Sequence, residues 1–152
     1  MNASTTDRIE KRTVLRAPRS RVWNAIADAG EFGAWFQVKI EGEFKPGARI
    51  QGAMTYPGYE GGSWEIEVHR MEAPRLFSFY WHPYAIEPGV DYSAEKPTLV
   101  EFILDDAPEG TQLTIVESGF DGVPLERRAK AFASNSEGWD IQLKALEAYV
   151  TS

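Results

Sequence analysis

The sequence predicts an α+β domain in which an antiparallel meander is followed, and backed, by one long helix. Three observations lead there. Short apolar segments recur between residues 38 and 118, with proline- or glycine-bearing turns between them. Most of those turns are too short for the crossover of about a dozen residues that neighbouring parallel strands need. Finally, Phe132, Ser136, Trp139, Leu143, Leu146 and Val150 step by three and four residues after the last proline, Pro124, which is one face of a long helix.

Residues 1–7 read as a flexible tail and 8–152 as a single domain. Residues 8–16 mix charge with Ile9, Val14 and Leu15, as an edge or half-buried strand does. Pro18 starts a helix, where its missing N–H costs nothing. Val22, Trp23 and Ile26 hold helical spacing. Gly30 and Gly33 break the pattern, so a second, very short helix ends near Trp35-Phe36. Strands are then expected over 38–44, 48–56, 64–71, 76–82, 98–104 and 111–118, which gives a six- to seven-stranded sheet.

Period-two alternation assigns faces. Trp64, Ile66 and Val68 share one side of their strand, and Glu65, Glu67 and His69 the other. Phe77, Phe79 and Trp81 share a side, as do Val100, Phe102 and Leu104. Residues 84–96, with Pro88, Gly89 and two tyrosines, break the rhythm and read as a longer loop, of the kind that forms a lid or mouth or is simply mobile. Gly138 costs the long helix about 1 kcal/mol relative to alanine. It predicts either a close backbone approach or a kink before Trp139.

The composition excludes several function classes. At 152 residues, folding buries roughly 68–70% of the unfolded chain's surface, enough for an ordinary core. Hydrophobic residues at 43% and charged residues at 26% argue against general disorder. Without cysteine there is no disulfide scaffold, thiolate nucleophile or cysteine-based metal site. His69 and His82 are the only histidines, too few for a histidine cage. A net charge of −7 and no basic cluster denser than Arg127-Arg128-Ala129-Lys130 exclude a nucleic-acid partner. The apolar runs are too short to span a bilayer, and the polar start Met1–Thr6 lacks a secretory segment, so a cytoplasmic protein without a membrane partner is expected.

Several motifs in order resemble the activator of heat-shock protein 90 ATPase homologue-like family. That family lies within the START/polyketide-cyclase/birch-pollen-allergen (SRPBCC) superfamily, whose helix-grip fold wraps a curved antiparallel sheet around a long C-terminal helix. The matching pieces are Ala17-Pro18-Arg19-Ser20-Arg21-Val22-Trp23-Asn24-Ala25-Ile26, Trp35-Phe36, Phe44-Lys45-Pro46-Gly47 and Gly62-Ser63-Trp64-Glu65-Ile66. They continue with Pro74-Arg75-Leu76, Phe77–Trp81, Gly110–Thr114, Ser118-Gly119-Phe120 and Glu137-Gly138-Trp139. The resemblance covers about Arg8 to Val150. It implies a small, largely apolar ligand held between sheet and helix. A cyclase- or hydrolase-type enzyme using the same cavity is the second reading, since some superfamily members are aromatase/cyclase enzymes. A stress-related or chaperone-associated interaction module is the third reading.

In such a fold Trp35, Trp64, Phe79, Trp81, Phe102, Phe132 and Trp139 point inward, either as plain core or as a cavity lining. His82 ends a strand beside the long loop, near Tyr80, Tyr84 and Tyr92, where an imidazole suits a pocket mouth or a general base. Ser136 is the polar break in the helix stripe, with Asn135 beside it. Its hydroxyl either orients a ligand or bonds back to the carbonyl four residues earlier. Glu65, Glu67 and His69 carry metal-binding or acid–base residue types, but the apolar residues between them claim the inward side, so the trio faces solvent. No Walker loop, GxGxxG, GxSxG or HExxH motif is present, so no cofactor, metal or catalytic residue is assigned. The expected partner is a small apolar molecule, bound by a monomer or homodimer.

Overall fold

Alternating burial builds the sheet. In the computed structural model, which describes residues 7–84 and 90–152, the strands are β1 (Arg8–Leu15), β2 (Val38–Glu41), β3 (Arg49–Met54), β4 (Ser63–Glu72), β5 (Leu76–Trp81), β6 (Thr98–Ala107) and β7 (Gly110–Ser118). Two helices, α1 (Arg19–Ala27) and α2 (Ala29–Phe36), follow β1, and α3 (Leu125–Thr151) closes the chain. The strands form one antiparallel sheet in the order β1-β7-β6-β5-β4-β3-β2. Only the β1–β7 pair joins strands that are not consecutive.

The inward face carries the core. Trp64, Ile66 and Val68 of β4, Phe77 and Phe79 of β5, Val100, Phe102 and Leu104 of β6, and Leu113 and Ile115 of β7 are all buried. On the other face of β4, Glu65 and His69 are exposed and Glu67 is half-buried. Arg49 of the neighbouring strand reaches Glu65 at 3.5 Å and Glu67 at 3.4 Å. The trio therefore faces solvent, as its alternation requires. Along α3, Ala131, Trp139, Leu146 and Val150 are buried, while Phe132 and Leu143 pack against the core from its margin.

Local chemistry sets the boundaries. Pro18 is extended at φ −62° and ψ 151°, so α1 begins one residue later than expected, at Arg19. The Asp28 carboxylate accepts the Glu31 N–H at 2.9 Å and starts α2. Gly33 does not break that helix. A Cβ there would stand 2.4 Å from the Val38 carbonyl oxygen, so glycine lets α2 lie against the start of β2. Strand β2 is shorter than expected because Gly42, at φ +104°, turns the chain out of extended geometry.

The Asp7 carbonyl accepts N–H bonds from Gly119 at 3.1 Å and Phe120 at 3.0 Å, which ties this residue to the end of β7. Residues 1–6 lie outside the described residues, as do 85–89 of the long loop. Gly138 marks no close approach. Helix α3 runs unbroken past it, and a Cβ at that position would meet no atom within 4 Å. Among the described residues, no helix is long and apolar enough to cross a membrane.

The three helices are tied by one polar hub. Arg21 of α1 donates to Glu31 of α2 at 2.6 Å and to the Tyr149 carbonyl of α3 at 3.1 Å. Its guanidinium lies 4.8 Å from the centre of the Tyr149 ring, and the Tyr149 hydroxyl donates to Glu31 at 3.0 Å. Burial, and then the bond to Glu31, push the Tyr149 phenol above its ordinary pKa.

Two predictions follow from these contacts. Gly138→Ala should stabilise the protein by about 0.5–1 kcal/mol, because helix propensity improves with no steric cost; urea denaturation checks this. A phenol with a raised pKa keeps its proton in the folded state after the unfolded chain has lost it. Its contribution is therefore complete below pH ~10 and declines above it. Wild-type urea midpoints should fall more steeply than those of Tyr149→Phe as the pH rises above about 10.

Candidate functional site

The alternation that buries Leu113 and Ile115 on β7 continues to Glu117, and no part of Glu117 is exposed. Thr98 of β6 and Trp81 of β5 lie on the same face at the same end of their strands, opposite each other in the ladder. Asn135 and Trp139 approach from above, one turn apart on α3.

These residues meet at the Glu117 carboxylate. Trp81 Nε1 donates to Oε2 at 2.8 Å and the Thr98 hydroxyl to the same oxygen at 2.6 Å. Trp139 Nε1 donates to Oε1 at 2.8 Å. Asn135 Nδ2 spans both oxygens at 2.9 and 3.1 Å. Indole and amide N–H groups can only donate, so at the Trp81, Trp139 and Asn135 contacts the Glu117 oxygens accept. No lysine or arginine among the described residues pairs with Glu117 within 4.0 Å. The carboxylate is met by neutral dipoles alone.

Aromatic rings surround this centre. The Trp81 and Trp139 rings stack with centroids 5.6 Å apart. Phe36 lies 6.2 Å from Trp81 and 6.4 Å from Trp139, Phe102 lies 5.8 Å from Trp139, and Phe79 lies 5.3 Å from Trp81. Trp35 joins through Phe102 at 6.4 Å, and its Nε1 donates to the Ala25 carbonyl at 2.8 Å. Trp64 joins through Phe36 at 6.1 Å, but its buried Nε1 has no hydrogen-bond partner among the described residues. Phe132 stands apart, against Phe120 at 5.1 Å. In this conformation rings occupy the space between sheet and helices. The two concavities described, of about 380 and 640 Å³, open instead on the outer surface along β1 and α3.

The polar candidates fall elsewhere. His82 is half-buried, with Nε2 3.0 Å from the Glu95 carbonyl oxygen. Tyr80 lies on the outer face, 5.0 Å from the His69 ring. Asn135, not Ser136, makes the polar contact from the helix. Arg127, in the first turn of α3, clasps the described ends of the long loop. It pairs with Glu95 at 2.5 Å, donates to the Pro83 carbonyl at 2.8 Å and lies 4.8 Å from the Tyr92 ring centre.

Sequence reasoning missed Glu117, although a signal was present. Extending the alternation of Leu113 and Ile115 by two residues places a carboxylate on the buried face. Asn135 and Trp139, four apart, mark the helix turn above it.

Comparisons with known proteins agree with this architecture. The family model described as Activator of Hsp90 ATPase homolog 1-like protein matches residues 16–151. A comparison with curated proteins returns no significant match. Among solved structures, protein MLL2253 of Mesorhizobium loti is 24% identical with a TM-score of 0.74, over 95% of this chain and 96% of its own. DynU16, from the dynemicin biosynthetic locus, is 23% identical with a TM-score of 0.74, and the match covers 96% of this chain but 48% of DynU16. CalU16 of Micromonospora echinospora is 20% identical with a TM-score of 0.64, over 94% of this chain and 74% of its own. At these identities the likeness is one of fold.

The hydrogen-bond pattern sets an order of stabilities. Glu117→Gln should cost about 1–3 kcal/mol, since an amide offers one acceptor where the carboxylate offers two. Glu117→Leu should cost more, because it strands every donor. Trp64→Phe should cost less than Trp139→Phe, because only the latter gives up a made hydrogen bond. Guanidinium denaturation of the four variants tests the ranking.

Proposed function

The chain belongs to the Activator of Hsp90 ATPase homolog 1-like family, and we propose that it binds a small, largely apolar molecule between the sheet and α3. One observation carries the reading: an aromatic compartment is built around a fully buried carboxyl group that has no cation partner among the described residues. For stability alone, well-packed apolar residues generally do as well as a buried charge or better. Apolar rings with a few fixed polar groups are the composition of a ligand site. The same rings also make an ordinary core, so the proposal requires that some of them yield. Half-buried Trp81 and the Phe36 ring against it are the pair that would move.

Several features support the wider reading. DynU16 comes from a biosynthetic locus, which suits a small-molecule partner. The net charge of −7 disfavours nucleic acid and anionic lipid surfaces. A cytoplasmic monomer or homodimer fits these properties. Neither Tyr80, His82 nor Ser136 has a described contact with Glu117, so no side chain is given a catalytic role. No feature of the fold favours chaperone docking over ligand binding.

Binding to the folded state alone raises stability by RT ln(1 + [L]/Kd), about 2.7 kcal/mol at a hundredfold excess over Kd. Naphthalene should therefore raise the melting temperature in a concentration-dependent way, and native mass spectrometry of fresh protein should show a co-purified adduct. No shift up to the solubility limit, together with a bare protein mass, would leave the rings as core and overturn the proposal.

A further inference from the structure

Among the described residues, the Trp64 indole N–H is the one buried side-chain polar group without a hydrogen-bond partner. The residue lies on the inward face of β4 and is 6% exposed, and its buried Nε1 has no acceptor among the described residues. Its ring neighbours are Phe32 at 5.8 Å and Phe36 at 6.1 Å. A buried N–H left unpaired costs about 1–3 kcal/mol. Water is a poor remedy, because a buried water needs two to four polar partners and the surroundings are rings. Glu117, by contrast, already accepts five donor contacts and has no free acceptor to offer.

We propose that Trp64 is the polarity-reading residue of the binding site, and that the ligand carries a neutral carbonyl-type acceptor that takes its indole N–H. The inference rests on the binding reading above and narrows its ligand class. The acceptor is neutral because no lysine or arginine among the described residues pairs with Glu117, and burying a second unpaired anion in the same compartment would cost several kcal/mol. The flat apolar body of the ligand takes up the position of Phe36, which bridges Trp64 to Trp81 and Trp139.

Two tricyclic probes of matched shape separate the ideas: fluorene, which has no acceptor, and 9-fluorenone, which has one. The five tryptophans give five indole signals in a ¹H–¹⁵N correlation spectrum, and Trp64→Phe identifies the one that belongs to Trp64. Fluorenone should bind roughly tenfold or more tighter than fluorene and move the Trp64 signal downfield. Trp64→Phe should abolish that preference, bringing the fluorenone-to-fluorene affinity ratio to about one, and keep the other four indole signals in place. Equal affinities with an unmoved Trp64 signal would overturn the assignment while leaving the binding reading intact; in that case the indole is satisfied by a neighbouring ring face. If neither probe perturbs any indole, the binding reading fails and the inference falls with it.

Discussion

A carboxylate withdrawn from water must be met by donors, and Glu117 gathers its donors from three other elements. Trp81 comes from β5, Thr98 from β6, and Asn135 and Trp139 from α3. Apolar contact has no direction, and a greasy helix face can slide or roll on a greasy sheet at modest cost. Hydrogen bonds do have direction. Two donors one turn apart on α3, both aimed at one carboxylate, fix the rotation and the axial position of the helix together. The stacking of Trp139 on Trp81 then follows from the polar geometry, since both indoles reach toward the same group.

The arrangement has a cost that the rest of the core must offset. Removing a carboxylate from water is penalised by several kcal/mol even after relaxation, and neutral donors return that only when each is well placed. This explains why the surroundings are so aromatic. Indoles supply a donor and a large buried area in a single side chain. Trp64 departs from that economy, because it brings the ring and leaves its donor unused. Trp81 and Trp139, both bonded to Glu117, and Trp64, with its spare N–H, give the compartment a polar gradient away from the carboxylate under α3.

Much of this was legible in the sequence, and the rest was hidden for definite physical reasons. The meander, the long helix and the inward aromatic faces follow from periods of two and of three to four residues, which survive in a single chain. Boundaries drifted where a local torsion decided them, as at Gly42 and Pro18. Glu117 was hidden because a charged residue near a strand end ordinarily reads as solvent-facing. Only the combination of its alternation with donors far away in sequence, at 81, 98, 135 and 139, shows that it is inside. The stripe of apolar spacing runs through Ser136, whereas the polar contact uses Asn135 on the turn edge beside it. Gly138 misled in the opposite direction, since a residue type that often marks contact here borders open space.

The pairing of β1 with β7 joins segments about 100 residues apart in the chain, whereas every other pair in the sheet joins consecutive strands. A chain emerging from a ribosome must therefore hold its first strand without a partner until nearly the whole sheet exists. The six-strand meander can zip locally, but its β7 edge stays open until β1 returns, and that edge is the hydrogen-bonding template on which two half-made copies would join. The charges along β1, at Arg8, Glu10, Lys11 and Arg12, keep the waiting strand hydrated during that interval. The topology that seals the finished domain thus sets its most vulnerable moment during synthesis.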